Sequence, residues 1–184
     1  MWWFNPRRTA RLAAILALAG LTAGCFQPLY GTQGSAGGPD IADKLSSVEV
    51  SPINVPNGTR LSRVGVEVRN NLLFGLTGGG PAAPSNYKLD IRLASSQSQV
   101  IVDINTARPD IQDYGIDATY TLIDIRTRKP VITGQTFSRV SYDIPGQQQR
   151  FAGDRGLRDA ENRAAKAIAG NIRSRLASYF VAGT

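Results

Sequence analysis

Histidine is absent from all 184 residues, and cysteine occurs once. The missing imidazole removes the usual general base, the triad partner and a common metal ligand together. The single cysteine, Cys25, leaves no thiolate cluster for a metal. Gly78-Gly79-Gly80 lacks the following lysine and helix of a phosphate loop and runs into Pro81-Ala82-Ala83-Pro84, a plain loop. Paired carboxylates of the glycosidase kind stay formally open through Asp103, Asp124 and Asp143. All three fall near predicted strand ends or turns, where solvated acids are ordinary. The expectation is a protein that is not an enzyme and holds neither a metal nor a dissociable cofactor.

No apolar run is long enough to cross a bilayer, which takes about 20 residues. The one candidate, Leu12 to Leu21, is short and sits behind Arg7, Arg8 and Arg11 with no acid. Leu21-Thr22-Ala23-Gly24 then leads to Cys25 with the small side chains a signal peptidase can thread. This is the pattern of a bacterial lipoprotein signal, cut between Gly24 and Cys25. A buried core helix would not open a chain behind three arginines. Ala10 and Arg11 stand where a twin-arginine signal wants apolar residues, so export in the unfolded state is expected. An unpaired thiol in a secreted protein is an oxidation liability, and diacylglycerol on the Cys25 sulfur, with an N-acyl chain on its amine, removes it. Each buried methylene contributes about 0.8 kcal/mol, so two or three chains anchor essentially permanently. Phe26 follows where aspartate would mark inner-membrane retention, which points to the outer membrane, periplasmic side.

Residues 1–24 are therefore read as a cleaved leader, 25–44 as a lipidated N-terminus and flexible tether, and 45–184 as one α+β domain. The tether call rests on Thr32 to Pro39, rich in glycine and small residues. Leu45 to Ile53 alternates loosely, with Val48 and Val50, and reads as a first strand stopped near Pro52 and Pro56. Thr59 caps a helix whose apolar positions Leu61, Val64, Val68 and Leu72 recur every three or four residues. Tyr87, Leu89, Ile91 and Leu93 alternate with Lys88, Asp90 and Arg92 in a strand that continues to about Ile104. Asn105 to Pro109 is expected to turn the chain, followed by strands over Tyr114–Ile125 and Val131–Tyr142, joined at Thr127-Arg128-Lys129-Pro130. Leu157, Ala160, Ala164, Ile168, Ile172, Leu176 and Phe180 give a last helix, from about Arg155 to Phe180, its apolar stripe. Its acids lie near the start and its bases near the end, as the helix dipole prefers. The fold class is a two-layer α+β sandwich, order β-α-β-β-β-α: an antiparallel sheet of about four strands with two helices on one face.

Loss of the leader lowers the net charge from +7 to +4, and the surplus is local. Gly146 to Thr184 holds seven bases against Asp154, Asp159 and Glu161, while the rest of the mature chain is balanced. Nucleic acid would explain surplus arginine, but a lipid-anchored exported protein does not meet it. A solvated face and contact with an acidic partner or anionic lipid headgroups both stay open for this helix. A second basic group, Arg126, Arg128 and Lys129, sits at an exposed hairpin tip and is the candidate contact for lipid or partner, beside the reading of a merely soluble turn.

Gly24-Cys25-Phe26-Gln27-Pro28-Leu29-Tyr30-Gly31 resembles the start of the lipopolysaccharide-assembly lipoprotein family LptE, in its alphaproteobacterial form, where Phe-x-Pro-Leu-Tyr closely follows the lipidated cysteine. Mature length and element order fit that family through essentially the whole chain. The resemblance implies a plug and assembly partner inside the outer-membrane β-barrel LptD, assisting delivery of lipopolysaccharide to the cell surface. A compact domain with polar loops can fill a wide barrel lumen, and Arg126, Arg128 and Lys129 would then meet lipid phosphates. The alternative is an auxiliary lipoprotein of an ABC-type envelope lipid-transport system, docked on a transporter.

Overall fold

A computed structural model describes residues 41–103, 108–144 and 150–182, all within one compact unit, Gly34–Thr184. The leader, Cys25 and the Thr32–Pro39 tether lie outside the described residues. The elements are α1 (Ile41–Ser46), β1 (Val48–Val50), α2 (Arg60–Thr77), β2 (Tyr87–Asp103), β3 (Arg108–Asp124), β4 (Pro130–Asp143) and α3 (Arg150–Ala182).

The α+β two-layer sandwich is as expected, with one sheet ordered β1-β2-β3-β4. The expectation of an antiparallel sheet needs one correction. β2, β3 and β4 form an antiparallel meander, but β1 runs parallel to β2, with Val48, Glu49 and Val50 opposite Tyr87, Lys88 and Leu89. The reason is α2: the chain leaves β1, crosses through the helix and returns in the same direction, the geometry a crossover imposes. A third helix also joins the two expected ones. α1 begins at Ile41, four residues before the expected domain start, and buries Leu45.

α2 starts and stops as its ends dictate. Thr59 is extended, and its hydroxyl accepts the Ser62 N–H at 3.2 Å, satisfying one orphan donor of the first turn. Gly78 closes the helix at φ 64°, and its N–H bonds the Phe74 carbonyl at 2.8 Å. Val64, Val68 and Leu72 are essentially inaccessible, as their spacing requires. α3 is longer than expected at 33 residues, roughly 50 Å, close to the roughly 56 Å of the 17-residue β3. The helix therefore runs the length of the sheet. Ile168, Ile172 and Leu176 fill its underside, and Ala160, Ala164, Ala165, Ala169 and Ala177 are buried between them. Alanine at these points lets the helix settle close to its neighbours. Fully burying each of the large side chains contributes about 1.5–3 kcal/mol. The expected match of charge to the helix dipole does not survive the added turns. With Arg150 as the first residue, neither an acid in the first turn nor a base in the last remains.

β3 likewise starts earlier than expected, at Arg108 rather than near Tyr114. Its inward residues Tyr114, Ile116, Ala118, Tyr120 and Leu122 meet Leu89 and Ile91 of β2 and Ile132 of β4 under the helices. Among the described residues the sheet keeps two open margins: β4 has no strand along its outer side, and β1 covers only the first three residues of β2.

One close approach fixes a glycine. A Cβ on Gly134 would lie 2.5 Å from Tyr120 Oη and 2.7 Å from its Cζ. The buried ring has little room to retreat, so Gly134→Ala is expected to destabilise the domain by about 1–3 kcal/mol. Urea denaturation checks this: a midpoint equal to that of the parent would mean the ring moves freely.

Candidate functional site

The expected basic tip is formed by the turn between β3 and β4. Asp124 organises it: its carboxylate accepts the Thr127 N–H at 2.9 Å, its carbonyl accepts the Arg128 N–H at 2.8 Å, and its own N–H donates to the Lys129 carbonyl at 3.0 Å. Arg128 takes a left-handed conformation, φ 56°, to close the loop. The Thr127 N–H, followed by the Arg126 N–H and other smaller influences, holds the Asp124 carboxyl below its ordinary range, so the acid stays charged at neutral pH. Ile125 N–H donates to the Asn86 carbonyl at 3.0 Å and ties the turn to the entry of β2.

That tie opens a cleft of about 620 Å³ at this end of the sandwich. Lys44 from α1, Tyr87 from β2, Asp124 and Arg126 from the turn, and Tyr179 and Phe180 from α3 line it, among others. The rings form its apolar wall: Tyr87 and Phe180 are 5.2 Å apart between centroids, and Tyr179 and Phe180 are 5.5 Å apart. Burial, more than its charged neighbours, pushes the Tyr87 phenol up, so it remains a neutral hydrogen-bonding group. Lys44 Nζ donates to the Phe180 carbonyl at 3.4 Å and stands across the cleft's lining from the turn. Lys44 and Arg126 are balanced on the lining by Asp43 and Asp124, so the cleft offers paired charges beside an aromatic wall, which suits an amphipathic group with a polar head and an apolar body.

Of the three tip residues singled out from the sequence, only Arg126 lines this cleft; Arg128 and Lys129 are exposed on the turn beyond it. Lys44, Tyr87 and Tyr179 were missed. By sequence Lys44 falls in the tether, Tyr87 is an inward strand residue, and Phe180 ends a core stripe. The cue available was that all of them border chain turns or element ends.

Of the three acids weighed as candidates, the register sets Asp124 at one end of the sheet and Asp103 and Asp143 towards the other, these two on strands separated by β3. Asp124 faces Tyr87 at one end of the sheet and Asp143 faces Ile111 towards the other, some 13 residues of β3 apart, roughly 43 Å. Among the described residues no three metal-ligating side chains gather, and no helix is long and apolar enough to cross a membrane.

No family model and no curated relative matches the chain. Among solved structures, a Caulobacter crescentus protein described as a lipoprotein superposes with TM-score 0.60 at 23% identity, covering 78% of this chain and 97% of that one. Rare lipoprotein B from Shewanella oneidensis gives 0.52 at 14%, over 73% and 96%. Lipoprotein B from Nitrosomonas europaea gives 0.53 at 12%, over 75% and 90%. The chain therefore shares its fold with bacterial lipoproteins.

Proposed function

We propose that the protein is a non-catalytic outer-membrane lipoprotein, anchored through acylated Cys25 on the periplasmic side. In this reading it acts as plug and assembly partner of an LptD-type β-barrel in the delivery of lipopolysaccharide to the cell surface. The observation that carries the proposal is a conjunction: a lipidation sequence of the LptE kind at Gly24–Gly31, ahead of a domain with the fold of rare lipoprotein B. The described domain adds an exposed basic turn, Arg126, Arg128 and Lys129, as the contact for lipid phosphates, with Arg126 also lining an aromatic-walled cleft.

Gentle solubilisation of native membranes and recovery of the intact lipidated protein tests the partnership. A large outer-membrane barrel recovered with it is the expected result. An inner-membrane transporter in its place would move the protein to the ABC-type alternative. The contact is tested separately, in the purified complex, by reversing all three charges (Arg126→Glu, Arg128→Glu, Lys129→Glu). A tenfold or greater loss of lipopolysaccharide binding is expected, since each charge-assisted contact is worth about 1.5–3 kcal/mol when well formed. Unchanged binding removes these residues from the site.

A further inference from the structure

The helices cover one face of the sheet, and no described element covers the other. Along β3 and β4 that open face presents Thr119, Thr121, Thr133, Gln135 and Ser141, with half-buried Ile111 and Ile123 towards its ends and one large apolar side chain fully open in its middle. Phe137 is 68% exposed in mid-strand. Arg139 lies against it, Cζ 5.6 Å from the ring centroid. This arginine is held from several sides: Nη2 donates to both Asp117 oxygens at 3.0 Å, and Nη1 donates to the Ile116 carbonyl at 3.3 Å and the Ser138 carbonyl at 3.2 Å. Gly115 makes the arrangement possible, because a Cβ there would come within 2.7 Å of Arg139 Cδ.

An exposed ring beside an arginine whose freedom is already spent has the composition and preorganisation of an interface hot spot. The charges of the face also fit docking rather than solvation. Asp90, Asp113 and Asp117 offset Lys88, Arg92 and Arg139, with ion pairs made inside the face at Asp117–Arg139 and Lys88–Asp90. Covering it would strand no strongly unbalanced charge. Glu49 and Asp143 tip it slightly acidic, whereas α3 on the opposite layer carries the positive surplus. By charge, anionic lipid favours the helix layer and the basic β3–β4 turn over this face. Three strands about 4.8 Å apart, overlapping for about 14 residues, with the three residues of β1 beside them, span on the order of 700 Å², near the roughly 800 Å² that one side of a standard protein interface buries.

We infer that the open sheet face, centred on Phe137 and Arg139, docks on a polar protein wall of the kind that lines a β-barrel lumen, where inward side chains are polar. The inference rests on the barrel reading above and adds which surface meets the barrel.

Site-specific photo-crosslinking of the full chain in its native host tests it, with benzoylphenylalanine at Phe137, at Thr121 on the same face, and at exposed Lys166 on α3. Strong crosslinks from Phe137 and Thr121 to an outer-membrane barrel, with at least tenfold weaker ones from Lys166, are expected. Crosslinks to the barrel from Lys166 alone would overturn the inference and leave the barrel reading standing. No barrel crosslink from any position would overturn both. Phe137→Ala should keep the parent melting temperature, since the ring is exposed, and lower barrel co-purification at least tenfold. Gly115→Ala, which displaces Arg139, should lower it in the same direction. Undiminished co-purification of Phe137→Ala would also overturn the inference.

Discussion

Replacing Arg63 by alanine should cost the domain about 3 kcal/mol and lower its melting temperature by roughly 10 °C. Arg63, on α2, pairs with Glu161, on α3, and also donates to Asn162 Oδ1 at 3.0 Å. Glu161 is 3% exposed, and its second oxygen, Oε1, has no protein partner. Removing the guanidinium leaves a carboxylate buried between the helices without its ion-pair partner, although Arg60 and Arg158 line the same recess. Breaking a buried pair from one side costs about 3–5 kcal/mol. The lower end applies here because 38% of the Arg63 side chain is exposed and water screens the pair. The test is a pair of variants under chemical denaturation. Arg63→Ala alone should shift the midpoint strongly with an unchanged slope. Arg63→Leu combined with Glu161→Leu should restore much of it, because two apolar groups bury no charge. A double variant as weak as the single would show that packing, not charge, holds the helices together.

This pair also marks a limit of sequence reading. The stripe of α3 was legible from spacing alone, and every residue assigned to it is buried. Glu161 belongs to no such pattern. It is buried only because Arg63, 98 residues earlier, reaches it from another helix, and such pairings leave no periodic trace. The same holds for the cleft, where Lys44 meets Phe180 across 136 positions. Local signals fared better. Thr59 and Gly78 bound α2 as their chemistry demands, and the alternation of Tyr87 to Leu93 gave both the strand and its inward face. β3 was shortened because Arg108-Pro109-Asp110 has the composition of a turn, although proline is tolerated near the start of a strand. α1 was hidden by its brevity and by the glycine-rich stretch ahead of it. The direction of β1 depends on where α2 returns the chain, which only the packed molecule decides.

Replacing Cys25 by alanine is expected to transfer the protein almost completely from the membrane pellet to the soluble fraction. The residue lies in the segment outside the described structure, and the prediction follows from chemistry. Without the thiol no diacylglycerol can be attached, and the N-acyl chain, added to the processed cysteine, is lost as well. A single myristoyl-sized chain binds membranes only marginally, while two or three hold essentially permanently at about 0.8 kcal/mol per methylene. Fractionation with a carbonate wash measures the transfer, and the mass of the N-terminal peptide identifies the modification in the parent. A parent protein with a bare thiol and its leader intact would remove the anchor from the proposal. An alanine variant that still pellets fully would mean that protein contacts suffice, with Phe137 the first place to look.

The two open margins of the sheet bear on how the protein behaves when made in excess. A strand with free backbone N–H and C=O groups is a template for any extended chain, and among the described residues no strand covers the outer side of β4 or most of β2. Ser95-Ser96-Gln97-Ser98-Gln99 offers little apolar pull along the β2 margin, which discourages strangers without closing the door to them. Overproduction therefore exposes the domain to intermolecular strand addition, and charged substitutions along either margin are the route to soluble material.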